Sequence, residues 1–163
     1  MLRKFYPKEV IDSVYSYNFR EMYDRGYRGL LFDIDNTLVP HGKPITDEAL
    51  TFIKELKNIG FNICLISNNR EERVKPFADA AGVPYIYKAG KPLAKNYVKA
   101  MEIMGTNLQN SIFIGDQIFT DVYGANRAGM YSILSKPINP KEEIQIVLKR
   151  YPEKLILYFY NKK

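Results

Sequence analysis

Short apolar runs alternate with segments of helical periodicity along most of the chain. The runs predict five strands, at residues 29–32, 61–66, 84–87, 111–114 and 131–134. Apolar spacing and capping residues predict helices at residues 47–59, 71–80, from 92 onward, 121–128 and 140–150. Uniformly apolar strands that alternate with helices are typical of a parallel sheet covered on both faces. We therefore predict a three-layer α/β fold with a parallel sheet of about five strands.

The two ends of the chain lie outside this alternation. Residues 7–23 have apolar residues at helical spacing and predict one or two amphipathic helices before the first strand. Residues 154–163 are apolar and aromatic with lysines at both sides, and two interpretations stay open. The segment either packs on the core as an edge strand or helix, or contacts a membrane surface through its aromatics and lysines. A length of 163 residues fits one domain, with a helical lead-in at 1–28, a core at 29–135 and a C-terminal helix and tail at 136–163.

Composition narrows the possible partners and metals. The chain has 24 Lys and Arg against 18 Asp and Glu, and the net charge of +6 suits a phosphate compound, nucleic acid or acidic lipid. One cysteine, Cys64, excludes an internal disulfide, and one cysteine with one histidine excludes a structural zinc site. A metal would be held mainly by oxygen atoms, which favours Mg²⁺. We find neither a signal peptide nor an apolar stretch of about 20 residues, so we expect a cytoplasmic protein.

Polar side chains follow four of the predicted strands. Asp33 and Asp35 follow the first strand, Ser67 the second, Lys91 the third and Asp116 the fourth. In parallel sheets, ligands bind beyond the carboxyl ends of the strands. Taken singly, each residue has an ordinary explanation, such as a turn, a helix cap or a solvated lysine. Together they bring three acids, a hydroxyl and an ammonium group to one rim of the sheet.

These residue types suit the hydrolysis of phosphate esters. Two close carboxylates, Asp33 and Asp35, are costly unless a cation or a shared proton relieves their repulsion. Asp116 adds a third carboxylate, and a divalent cation such as Mg²⁺ relieves all three. One carboxylate can then attack phosphorus, while the other exchanges protons with the leaving alcohol and with water. Ser67 and Lys91 can bind phosphoryl oxygens and stabilise charge in the transition state.

Four motifs resemble those of the haloacid dehalogenase-like (HAD) phosphohydrolases. DIDNTLV at 33–39 resembles their DxDx(T/V) motif, and GDQIFTD at 115–121 resembles their acidic GDxxxxD motif. Ser67 matches the Ser or Thr of the second motif, and Lys91, within KAGKP, matches the lysine of the third. The motifs occur in the family's order and cover about residues 30–128. The chain is thus identified as a member of this superfamily, which implies a Rossmann-like core and a phosphoric monoester hydrolase activity.

The resemblance implies a role for each acid. Asp33 is expected to be the nucleophile, forming an aspartyl-phosphate intermediate, and to bind the metal. Asp35 is expected to be the general acid and base and to give Mg²⁺ its backbone carbonyl. Asp116 is expected to bind the metal, and Asp121 to bind it or to lie beside the bound ligands.

The resemblance also implies how substrate is held. Thr37 and residues 38–42 are expected to form the turn that positions Asp35 at the substrate site. Ser67 and Lys91 are expected to bind phosphoryl oxygens, and Asn68 to offer its backbone N–H to the phosphate.

The spacing of the motifs leaves no room for an inserted cap domain. Asp33 and Ser67 are 34 positions apart, Ser67 and Lys91 are 24 apart, and predicted elements already fill both intervals. A capless, open site suits large substrates or phosphates displayed on a surface. This compact pattern is similar to the YqeG branch of HAD class IIIA, which resembles phosphatidylglycerophosphate phosphatases. That similarity implies a phospholipid monoester as substrate, and peripheral contact with anionic lipid at the inner membrane face.

Other functions stay open on the sequence alone. The protein could act on a soluble phosphate ester or a nucleic-acid end, or it could be a HAD-fold binding module without catalysis. Comparing turnover of lipid and soluble esters would separate a lipid phosphatase from an enzyme for soluble esters or nucleic-acid ends. The presence of every expected catalytic residue counts against a binding module without catalysis. The sequence has no recognisable RNA-binding motif, so we do not expect nucleic acid as a partner.

Overall fold

Six parallel strands form one sheet, and helices cover both of its faces. The computed structural model describes residues 1–139 and 144–162. The strands are β1 (Glu9–Ile11), β2 (Gly29–Phe32), β3 (Asn62–Ile66), β4 (Tyr85–Ile86), β5 (Ser111–Gly115) and β6 (Tyr131–Ser135). The helices are α1 (Phe19–Asp24), α2 (Asp47–Ile59), α3 (Glu71–Ala81), α4 (Lys95–Met104), α5 (Tyr123–Ala128) and α6 (Ile144–Asn161), with a π-helical turn at Ile118–Val122. The strand order across the sheet is β1-β6-β5-β2-β3-β4.

Alternate side chains of the central strand β2 point to opposite faces of the sheet. Leu30 and Phe32 belong to an apolar cluster that includes residues of α1, α2 and α3. Leu31 and Cys64 belong to a second cluster, which includes residues of α4 and α5. Burial raises the pKa of the Cys64 thiol to about 12, so this cysteine is an inert part of the core. The predicted α/β fold with three layers is confirmed.

The N-terminal segment contributes a sixth strand. The prediction of one or two helices over residues 7–23 is wrong for residues 9–11, which form β1 and pair in parallel with β6. Glu9 accepts hydrogen bonds from the hydroxyls of Tyr17 and Tyr131, and the bond from Tyr131 links β1 to the neighbouring strand β6. A three-residue edge strand is too short to show a strand pattern of its own, and pairing with β6 outweighs the helical spacing. The lead-in is therefore part strand and part helix.

The connections that flank the predicted active site are short. A single helix, α2, joins β2 to β3, and a single helix, α3, joins β3 to β4. The Thr46 hydroxyl caps α2 by accepting from the backbone N–H of Ala49 at 3.1 Å, and Gly60 ends this helix at a positive φ. Throughout residues 33–91, all of which are described, no cap domain is inserted. The capless core predicted from motif spacing is confirmed.

The last helix is longer than predicted. We expected a helix at residues 140–150, whereas α6 continues through Pro152 to residue 161. The beginning of the predicted helix, residues 140–143, lies outside the described residues.

The inward side of α6 packs on the core. Ile156 is buried in a small apolar cluster with Ile118 and Leu134. Residues 154–161 therefore form a helix against the core and not an edge strand. Within the described residues, no helix combines the length and the apolar character that crossing a bilayer requires.

Candidate active site

Three carboxylates meet where β2 and β5 end. Asp33 follows β2, and its backbone N–H donates to the carbonyl of Ile114 in β5 at 3.0 Å. Asp116 follows β5 directly, and Asp121 lies in the π-helical turn that comes next. All three are buried, and each can offer one carboxylate oxygen such that the three oxygens lie within 4.8 Å of one another. We name these three residues the acidic cluster.

Lys91 reaches this cluster from the loop after β4. Its Nζ atom donates to Asp33 Oδ1 at 2.8 Å and to Asp121 Oδ1 at 2.6 Å. Burial lowers the pKa of Lys91, but the carboxylates of Asp121 and Asp33 outweigh burial and raise that pKa above its ordinary value. Burial is also the main reason that the pKa of Asp33 is raised to about 6, with Lys91 opposing the shift. Lys91 therefore stays protonated and supplies positive charge to two buried acids.

Asp121 holds the loop after β5 together. Its Oδ2 atom accepts hydrogen bonds from the backbone N–H groups of Asp116 and Gln117, at 3.1 and 3.0 Å. A Cβ atom at Gly115 would lie 2.7 Å from the Cβ of Asp121, so this close approach requires glycine. Because Lys91 binds the other carboxylate oxygen, both oxygens of Asp121 already have protein partners. These contacts suit an acid that anchors the loop beside a metal, one of the two roles implied by the resemblance.

The C-terminal helix also reaches the cluster. Arg150 in α6 donates to Oδ2 of Asp116 at 2.6 Å and to its backbone carbonyl at 2.6 Å. Arg150 also donates to Glu153 Oε2 at 2.9 Å, and Glu153 Oε1 accepts from the backbone N–H of Ile118 at 2.7 Å. Burial raises the pKa of Asp116 well above its ordinary value; Asp33 adds to the shift and Arg150 opposes it. The sequence reasoning missed Arg150 and Glu153.

One oxygen of Asp116 shows that the acidic cluster fits a metal. Asp116 Oδ1 is buried and has no hydrogen-bond partner among the residues that the structure describes, although buried polar atoms are normally paired. Lys91 and Arg150 are already bonded to the neighbouring oxygens, Asp33 Oδ1 and Asp116 Oδ2. A divalent cation would satisfy the remaining oxygen, and a donor set made only of oxygens suits Mg²⁺. The residues present therefore fit a divalent metal ion.

Asp35 lies close to the acidic cluster, with its carboxylate held by three donors. The backbone N–H of Gly42 and the guanidinium of Arg73 donate to Oδ1 at 2.8 and 2.9 Å, and the amide of Asn69 donates to Oδ2 at 2.8 Å. A bridge between Asp35 and Val39 closes the turn that brings Gly42 back to this carboxylate. The carboxylate of Asp35 is not in the three-acid group found among the described residues. Its predicted metal contact through the backbone carbonyl stays a prediction.

The residues expected to bind phosphate lie on the loops around this rim. The Ser67 hydroxyl accepts from the backbone N–H of Asn69 at 3.1 Å, in the turn after β3. The Asn68 amide exchanges two hydrogen bonds with the backbone of Lys91, at 2.8 and 3.3 Å, and so fixes the loop that carries this lysine. Thr37 Oγ1 is buried and, within the described part of the chain, has no partner. The predicted phosphate contacts of these residues stay predictions.

The contacts that the sequence reasoning missed come from helices. Glu153 is the only acid in α6 and follows Arg150 by three positions, which places the two charges on one side of the helix. A single acid among the basic residues of an apolar helix is a signal that could have drawn attention to Glu153 and to the arginine three positions before it. Arg73 has no comparable signal, because α3 carries charges of both signs along its length.

An apolar groove adjoins the acidic cluster. It has a volume of about 490 Å³ and lies between α6 and the ends of β1 and β6. Asp116 and Arg150 line one part of the groove, and its apolar lining includes Val10, Ile118, Leu134, Val147 and Leu157. The site is thus continuous with an apolar surface.

Comparison with known proteins defines the family. The haloacid dehalogenase-like hydrolase family matches residues 41–129. Over its whole length the chain is 34% identical to a protein of Bacillus subtilis named "Probable phosphatase YqeG", and the match covers 96% of that protein. The chain therefore belongs to the haloacid dehalogenase-like hydrolases, and the enzyme class predicted from its motifs, a HAD-type phosphatase, is confirmed.

A second curated relative and two solved structures extend the comparison. The chain is 27% identical over 133 residues to "Phosphatidylglycerophosphate phosphatase 1, chloroplastic/mitochondrial" of Arabidopsis thaliana, over 76% of this chain and 38% of that protein. An uncharacterized protein from Listeria monocytogenes serotype 4b aligns with a TM-score of 0.55 at 17% identity, over 80% of this chain and 97% of the other. The 3-deoxy-D-manno-octulosonate 8-phosphate phosphatase from Moraxella catarrhalis aligns with a TM-score of 0.54 at 19% identity, over 71% and 73%. Both structures confirm the fold.

Replacing Arg73 by glutamine is expected to lower kcat by roughly 10- to 100-fold, because Asp35 loses the charged donor that orients it. Hydrolysis of a soluble aryl phosphate measures the change. Lys75→Gln, on the same helix, is the matched control: its ion pair with Asp79 is exposed, and kcat should stay within about twofold. Equal kcat values for Arg73→Gln and the wild type would show that Arg73 does not position Asp35.

Proposed function

We propose that the protein hydrolyses phosphate monoesters through an aspartyl-phosphate on Asp33, with Mg²⁺ as its cofactor. The observation that supports this most directly is the acidic cluster. Lys91 donates a hydrogen bond to Asp33 in this cluster, and one buried oxygen of Asp116 has no partner among the described residues. Membership of the haloacid dehalogenase-like hydrolases supports the same chemistry.

Asp33 and Asp35 carry out the bond changes in this proposal. A carboxylate oxygen of Asp33 attacks phosphorus, and the bond between phosphorus and the ester oxygen breaks. Asp35 gives a proton to the leaving oxygen, then takes a proton from the water that attacks the aspartyl-phosphate. Inorganic phosphate leaves, and the Asp33 carboxylate is restored. Gly42 and Arg73 orient Asp35 for both proton transfers.

Cationic residues stabilise the charge that moves during these steps. The Nζ atom of Lys91 lies 2.8 Å from Asp33, so it can bind oxygens of a phosphate joined to that carboxylate. Asp33 and Asp116, with the backbone carbonyl of Asp35 and with Asp121 beside them, would hold the metal. When bound, Mg²⁺ offsets the repulsion between the attacking carboxylate and the anionic phosphate. Arg150 keeps Asp116 in place.

We further propose phosphatidylglycerophosphate as the substrate. The name of the Arabidopsis relative supports this choice, since it is a phosphatase for that lipid. The open, capless rim would admit a phosphate displayed on a bilayer, and the apolar groove beside Asp116 would accept part of the apolar portion of a lipid. A lipid substrate also implies that a cytoplasmic protein contacts the inner membrane face peripherally.

Phosphate release from phosphatidylglycerophosphate in mixed micelles tests both levels of the proposal. Release should require Mg²⁺, stop in EDTA, and exceed release from soluble glycerol phosphate by roughly tenfold or more. Asp33→Asn, prepared in the same way, corrects for contaminating phosphatases. Release that depends on Asp33 from an aryl phosphate but not from the lipid would keep the chemistry and overturn the substrate. If neither compound is hydrolysed, the chain is a HAD-fold binding module. Turnover that persists in EDTA would contradict the proposal that Mg²⁺ is the cofactor.

A further inference from the structure

The outward side of α6 is apolar along its whole length. Six large apolar side chains lie on it, each between 44% and 70% exposed: Ile144, Leu148, Tyr151, Leu155, Tyr158 and Phe159. Successive members are mostly three or four positions apart, a spacing that places them on one side of a helix. We name this set the outer stripe of α6. Monomeric soluble proteins rarely expose so continuous an apolar surface without a partner for it.

The other side of α6 fixes the direction in which the outer stripe points. Ile156 is buried, and Leu157 packs on the same cluster with Ile118 and Leu134. Arg150 makes its contact with the acidic cluster from this inward side. A helix that is apolar on both sides can bury only one of them against a single core. The outer stripe is therefore turned away from the core, with Tyr151 at its edge also lining the apolar groove.

The exposed charges of α6 and the residue after it all have one sign. Lys149, Lys154 and Lys162 are exposed, whereas Glu153, the only acid in the helix, is buried and paired with Arg150. Two of these lysines lie against the stripe itself: the ammonium groups of Lys154 and Lys162 are 5.8 and 4.3 Å from the ring centres of Tyr151 and Tyr158. An apolar helix face with lysines along it complements an anionic lipid surface. A second copy of the chain would instead bring an identical set of lysines against this one.

The outer stripe is also close to the candidate active site. Arg150 connects the opposite side of the same helix to Asp116. Tyr160 packs against Tyr6, with ring centres 5.6 Å apart, so the basic N-terminal residues 2–8 lie next to α6. The outer stripe and the acidic cluster are thus linked through one helix and one arginine side chain.

We propose that the outer stripe of α6 docks the protein on an anionic phospholipid bilayer. The inference rests on the proposed function, because a phosphatase that acts on a phospholipid must reach the headgroup layer. In the docked protein, the apolar side chains of the stripe enter the interface, and its lysines contact lipid phosphates. Arg150, on the opposite side of the same helix, links the docked helix to Asp116.

The double variant Leu148→Glu/Leu155→Glu tests this docking surface. Co-sedimentation without substrate measures binding to vesicles of phosphatidylglycerol and phosphatidylcholine in equal parts. The wild type should bind these vesicles, and less so at high salt; the variant should bind roughly tenfold or more weakly, because two acids enter the apolar stripe. Neither residue contacts the acidic cluster, so hydrolysis of a soluble aryl phosphate should stay within about twofold of the wild type.

A matched control replaces two exposed apolar residues of another helix by glutamate. Val98→Glu/Ile103→Glu alters α4 instead of α6 and should bind vesicles as the wild type does. The proposal is overturned if the wild type does not sediment with the vesicles, or if the α6 variant binds them equally well. A wild-type dimer in size-exclusion chromatography that the α6 variant converts to a monomer would also overturn it. Intact, stripe-dependent vesicle binding without any phosphatase activity would support the docking surface and overturn the proposed catalysis.

Discussion

Asp33→Asn is expected to lower kcat by roughly 10⁴-fold or more while the protein still folds. The amide of asparagine has nearly the shape of the carboxylate, and its oxygen can still accept a hydrogen bond from Lys91. It cannot form the aspartyl-phosphate, so the covalent route is lost. A neutral side chain also suits this position, since burial raises the pKa of Asp33 to about 6. Steady-state phosphate release with circular dichroism on the same samples measures both effects.

The matched control for this loss is Asp47→Asn. Asp47 is exposed in the first turn of α2, away from the strand ends, so kcat should change by less than about twofold. An Asp33→Asn variant that kept a tenth of the wild-type rate would show that the reaction does not pass through this carboxylate.

Lys91→Met is expected to abolish measurable turnover and to lower the free energy of unfolding in EDTA by about 3–5 kcal/mol. Methionine fills much of the volume of lysine, but it leaves Asp33 and Asp121 buried without their shared cation. Added Mg²⁺ should recover more stability in the variant than in the wild type, because it binds the folded state and supplies the missing positive charge. Urea unfolding with and without Mg²⁺ measures the difference.

Lys99→Met on α4 controls for the loss of a lysine as such. Lys99 is exposed, and its replacement should change the free energy of unfolding by less than about 0.5 kcal/mol. If Lys91→Met were as stable as this control in EDTA, Lys91 would not be what balances the buried acids.

The central strands were predictable because burial on both faces makes a parallel strand a continuous apolar run. The runs at β2, β3 and β5 show this most clearly, and their order brings Asp33 and Asp116 to one edge. β1 was missed since three residues at a sheet edge carry no such run, and its identity depends on pairing with β6. The continuation of α6 was missed because Pro152 normally interrupts a helix.

The same reasoning explains which site residues could be predicted. Residues at strand ends, such as Asp33 and Asp116, have their places set by sheet topology, which the sequence pattern indicates. Arg73 and Arg150 reach the site from helices, and which way their side chains point depends on how each helix packs. That rotation is a property of the tertiary structure, so the donors to Asp35 and Asp116 became visible only in the fold.

If the acidic cluster binds a cation as proposed, the contact between Arg150 and Asp116 would let α6 influence the affinity for that cation. Thermodynamic linkage is reciprocal: if packing of α6 orders Asp116 for a cation, then a bound cation must favour the packed helix by the same free energy. Cation binding at the acidic cluster and packing of α6 would then be coupled, so that each favours the other. In the proposed metal site, a helix more than a hundred positions from Asp33 in sequence would thus contribute to the affinity for the cation.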